Sequence, residues 1–200
     1  MMSGKLLLAI CLAFATPASA AVHIMSGTRQ NINPGTVPGL GRCVPAYFST
    51  SVITPDNFLS TGTSNFGAFT ASMSHCNLGP APTAFVDGIA QLDFAAGDSL
   101  FATYTGEQEP SGTPGIFNVV QDWVVTGGTG RFFNASGALS HAGTLSVGLY
   151  EGVPAGFFEG SFEGWLDLPA VPEPASWAMM ILGFGFVGMR LRKGRTHVNA

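Results

Sequence analysis

Between Ala21 and Ala170 no helical periodicity persists; apolar residues alternate at period two, in runs broken by Gly, Pro, Asn and Asp. A chain patterned this way buries its apolar residues by pairing strands into a sheet with one inward face. Residues 99–105 form one such run, ending at Gly106, and residues 143–150 another. The longest, 116–126, places Phe117, Val119, Gln121, Trp123 and Val125 on one face. Residues 158–166 send Phe158, Phe162 and Leu166 one way and Glu159, Glu163 and Trp165 the other, and glycines between the phenylalanines suit a strongly curved barrel strand. Shorter candidates are 46–53, 67–72 and 84–94. About eight strands in one domain predict an all-β fold, a single antiparallel β-barrel, with a β-sandwich as the alternative. The polar stretch 107–114 reads as a hairpin loop.

Composition narrows the reading. Only 10% of the residues are charged, which excludes a coiled coil or charged bundle, and 46% are hydrophobic with 16 Phe, enough apolar surface to exclude ordinary disorder. Between Ala21 and Pro174 three arginines stand against twelve acidic residues, a net −9. Such a surface repels phosphate backbones, so no nucleic-acid partner is expected.

Met1 to Ala20 has the three parts of a secretory signal peptide: Lys5, an apolar stretch over 6–15, and Ala18-Ser19-Ala20 as an A-x-A site. A buried first helix is the alternative. Cleavage by signal peptidase leaves Ala21 as the mature N-terminus and removes Cys11. The two remaining cysteines, Cys43 and Cys76, favour a disulfide in an exported chain, with two buried free thiols as the alternative. The bridge stabilises by roughly 3–4 kcal/mol on loop-closure grounds.

At the other end a Pro-rich spacer, 168–174, leads through Pro172, Glu173 and Pro174 to Trp177 and an apolar run ending at Met189, followed by Arg190, Arg192, Lys193 and Arg195. The run is short for a span of about 20 residues. Trp177 at one interface and snorkelling arginines at the other make a transmembrane helix over about 175–191 feasible. Positive-inside bias then leaves the main domain outside. This tripartite end resembles the PEP-CTERM sorting signal, in its PEPxxWA variant, of exported bacterial proteins. The resemblance implies processing by exosortase near the PEP. It also implies an inner-membrane-anchored precursor, then a cell-surface or extracellular product; retention as a simple membrane anchor is the alternative. The expected plan is a signal peptide at 1–20, a barrel at 21–170, a sorting segment at 171–195 and a tail at 196–200, longer past the basic cluster than is usual.

A second resemblance lies inside the barrel. Gly127, Gly128, Gly130, Phe132 and Gly137 stand in a GGTGxFxxAxG pattern directly after the longest run. That pattern is similar to a turn of the allene oxide cyclase and dirigent-like β-barrels. The resemblance implies a strand that ends at the glycines, an aromatic tucked under the barrel, and re-entry as the next strand at Gly137. A phosphate cradle is disfavoured, because no helix or Lys follows the glycines. The sequon 134–136 carries no expectation.

The catalytic inventory is thin. His23, His75 and His141 show no ligand spacing, no G-x-S-x-G occurs, and Glu159 and Glu163 lie about 13 Å apart along one strand, beyond a glycosidase pair. No catalytic residue, metal ligand or cofactor is therefore expected. Two classes stay open: a non-catalytic exported envelope or matrix protein, and a barrel that encloses a small apolar ligand as a binder or isomerase. A void lined by aromatics and a few polar groups favours the second, and an interior filled by Phe117, Trp123, Phe158 and Phe162 favours the first.

Overall fold

The computed structural model describes residues 21–33, 41–55, 59–169 and 180–189. The chain divides into two compact units, and one of them, Ala20–Pro169, holds every described strand. In chain order these are β1 (Ala21–Asn33), β2 (Ser49–Ile53), β3 (Ser60–Ser64), β4 (Gly67–Asn77), β5 (Ala84–Phe94), β6 (Ser99–Pro110), β7 (Ile116–Gly128), β8 (Ser136–Tyr150) and β9 (Val153–Leu168). A single 3-10 turn, Gly130–Phe132, separates β7 from β8.

The order β4-β3-β1-β9-β8-β7-β6-β5 closes on itself through the pairing of β4 with β5, and every pairing is antiparallel. β2 and β3 share one position in this ring. On the side of β4 away from β5, β2 pairs with residues 73–77 and β3 with residues 67–70. Nine strands thus fill eight positions of an all-β barrel. Ring closure removes the free sheet edges that a sandwich keeps.

Alternation decides what fills the interior. β9 buries Phe158, Phe162 and Leu166 and exposes Glu159, Glu163 and Trp165. β7 buries Val119, Gln121, Trp123 and Val125, whereas Phe117 near the rim is half-buried. Inward glycines make room for neighbouring rings. A Cβ on Gly106 would collide with the Phe85 ring, and one on Gly143 with the Phe158 ring, so these glycines let large aromatics lie across adjacent strands.

Several boundaries differ from the sequence expectation: β2 starts at Ser49, β4 runs on to Asn77, and β9 starts at Val153. β6 continues to Pro110, paired with β7 as far as Phe117, so the stretch 107–114 is half strand and the turn is confined to 111–115. Glu107 and Glu109 point outward there, where charge needs no burial. β8 begins at Ser136, ahead of residue 143. Leu168 is the last residue of β9, paired with Ala21, and is not part of the spacer. The same pairing brings the chain into the barrel and out of it at one end.

In the second unit residues 180–189 are helical with exposed side chains. Among the described residues no helix is long and apolar enough to cross a membrane. The expected span, 175–191, extends past this helix on both sides, outside the described residues.

Candidate functional site

The barrel interior carries a different constellation at each end. At the end where the chain enters and leaves, the turn after β7 folds Phe132 into the core, fully buried against Phe94 and Phe66 at centroid distances of 5.0 and 5.7 Å. Phe133 stays 65% exposed, so the plug is one ring. The glycines serve two purposes. Gly127 (φ 146°) and Gly130 (φ 57°) occupy the left-handed region where a side chain is strained. Gly128 does not; it is needed because a Cβ would strike the Ser99 carbonyl and the Phe132 backbone. Gly137 likewise faces the Trp165 carbonyl too closely for a Cβ. Above the plug, Arg131 pairs with Asp98 at 3.0 Å and lies over the Phe132 ring at 4.9 Å.

Toward the opposite end the interior is polar. Arg29 on β1 points inward and is 2% exposed. Its Nη1 donates to Asn31 Oδ1 (2.9 Å) and Met73 Sδ (2.8 Å), and its Nη2 donates to Gln121 Oε1 (3.1 Å). The same Gln121 oxygen accepts from Trp123 Nε1 (3.0 Å). The guanidinium lies 4.5 Å above the Phe158 ring. Among the described residues Arg29 has no carboxylate partner. Burial pulls its pKa down to about 10, which leaves it charged at neutral pH.

Stacked aromatics extend the cluster around the ring. His141 on β8 lies between Trp123 (4.2 Å) and Phe162 (4.9 Å), and Tyr104 on β6 stacks on Trp123 at 5.1 Å. Tyr104 Oη meets His75 Nδ1 at 2.8 Å. Burial, with Arg29 and Arg42 nearby, holds His75 down at about 4, and burial with Arg29 pulls His141 well below its ordinary range, so both rings are neutral. Burial pushes the Tyr104 phenol up. Arg29 and Asn31 share the inward face of β1, and they meet His75, Tyr104 and Gln121, which are distant in sequence, only because the sheet closes. One signal for the cluster was legible: Gln121 falls in the apolar frame of β7.

The other sequence-predicted residues fall as follows. Cys43 and Cys76 form the disulfide, Cα atoms 5.4 Å apart, beside His75. His23 lies near Phe66 at the plugged end, away from the other two histidines. Glu159 and Glu163 stand on the outer face. The described residues contain no cluster of three His, Cys, Asp or Glu side chains placed to hold a metal ion. Pro172, Glu173, Pro174, Trp177, Arg190, Arg192, Lys193 and Arg195 lie outside the described residues.

Residues 170–195 match the family model of the PEP-CTERM protein-sorting motif. The motif marks an exported chain, made as a membrane-anchored precursor and processed by exosortase. Among solved structures the chain is similar to that of a pterocarpan synthase dirigent protein, with TM-score 0.47 and 10% identity over 77% of this chain and 88% of that one. No curated protein matches it.

Proposed function

We propose that the barrel is a non-catalytic module which exosortase releases near Pro172–Pro174 to the cell surface or extracellular matrix. The signal peptide is removed after Ala20, and the segment about 175–191 anchors the precursor. The filled interior carries this reading. Trp123, Phe158 and Phe162 occupy the space an apolar ligand would need, and the pocket bounded by Asn31, His75, Gln121 and Phe158 measures 20 Å³. Larger hollows of 370–770 Å³ count outward residues such as Gln30 and Glu159 among their walls. Pockets for drug-sized ligands run to about 300 Å³ and above. The outward row of β9, with Glu159 and Glu163, gives the module an acidic, hydrated face. Intact-mass analysis of the protein exported by its native host tests the sorting half: the product should begin at Ala21 and end within 172–174, and a 200-residue product would overturn it. Titration with an apolar fluorescent probe tests the other half, where saturable one-to-one binding inside the barrel would restore the ligand-enclosing alternative.

A further inference from the structure

The 20 Å³ cavity opens among Asn31, His75, Gln108 and Gln121, toward the end of the barrel opposite the plug. It is larger than the roughly 10–15 Å³ that one water requires. Its polar wall holds the side chains of Asn31, Asn33, His75, Gln108 and Gln121. Both lone pairs of Gln121 Oε1 are taken, by Arg29 and Trp123, so this amide has only its NH2 to offer. Asn31 likewise turns its oxygen to Arg29.

His75 Nε2 is buried with no hydrogen-bond partner. Asn77, two residues along β4, gives its amide nitrogen to Ser49 and Ser51, and its amide oxygen favours the protonated ring without reaching hydrogen-bond distance. The tautomer follows from counting. With Tyr104 donating to Nδ1, only one group is left unsatisfied, the Nε2–H; the reverse assignment strands both the phenol proton and Nε2. Gln108 Oε1 is also without a partner, and a half-turn of that amide presents its NH2 instead. No carboxylate lines the cavity. Behind it stands Arg29, and four groups that Arg29 touches, Asn31, Met73, Gln121 and Phe158, are wall residues. A buried cation with no partner charge, fronted by converging donors, suits a negative ligand.

We propose that this cavity binds a small monovalent anion, of halide or formate size, that balances Arg29. The site is distinct from the sorting signal, and its failure would leave the sorting reading untouched. The test uses the exported protein with its disulfide intact, melted at constant ionic strength while chloride, or formate, replaces the bulky anion gluconate. Both should raise the melting midpoint saturably, and crystals soaked in bromide should show the ion against Gln121 and His75. Leu145→Phe, which narrows the cavity from its half-buried rim, and Gln108→Leu, which removes one donor, should each weaken binding about tenfold (a loss of about 1.4 kcal/mol). A midpoint indifferent to the anion, unchanged affinity in both folded variants, or bromide bound on the outer surface alone (an adventitious ion only) would overturn the site. Should either variant fail to fold, the bromide position in the unaltered protein decides.

Discussion

Two arginines, one at each end of the barrel, show two ways of placing the same charge. Arg131 keeps its side chain 40% exposed, pairs with Asp98 and covers the Phe132 plug. Arg29 is enclosed, held by amide oxygens, a thioether and the face of Phe158, with no carboxylate among its contacts. A surface ion pair contributes about 0–1 kcal/mol. A buried charge without a partner costs several kcal/mol unless its hydrogen bonds are met. The plugged end is therefore where the barrel gains stability. The polar end gives part of that up to hold a fixed positive charge inside.

The plug provides the largest way to break this contrast. Phe132→Ala removes a fully buried ring and should cost about 4 kcal/mol, whereas Phe133→Ser, at an exposed position, should leave the denaturation midpoint nearly unchanged. Equal losses in urea unfolding would mean that the plug is not a single ring.

Acid tests the other end. The folded state holds His75 at about 4 against an ordinary 6.5, so the unfolded chain takes up a proton first as pH falls. Stability is complete above pH 6.5 and declines as pH drops through 4, by about 3 kcal/mol from His75 alone, with His141 adding in the same direction. Phe132→Ala should show the same slope from a lower starting point, because the two sites share no contacts. A flat profile between pH 6.5 and 4 would place the histidines in water.

The smallest effect sharpens the comparison. Arg131→Ala should cost less than about 1 kcal/mol and become indistinguishable from the parent at high salt. A loss as large as that of the plug would make Arg131 part of the core.

The strands that carry apolar alternation, β5 to β9, were legible because their inward residues are hydrophobic. β1 was not, for a reason tied to the polar cluster. Beside Met25, its inward positions are Gly27, Arg29 and Asn31, while Val22 and Ile24 face out, so little hydrophobic alternation marks the strand. β3 reads Ser-Thr-Gly-Thr-Ser and has no apolar residue to alternate. The turn 127–137 was legible because left-handed backbone and close approach both demand glycine, although the demand on Gly128 is steric and not conformational. His75 and His141 looked scattered because their shared surroundings depend on pairings between strands far apart in sequence, which no local spacing encodes.

The meeting of Ala21 with Leu168 also sets an order of events. β3 pairs with β1 only through residues 27–31, so the segment 21–26 has no ladder partner except β9, the last strand made. A chain that emerges from a membrane pore N-terminus first must hold those residues unpaired until nearly the whole domain has passed. The seam of the barrel is thus its slowest contact to form and, under tension on either terminus, the first to be loaded.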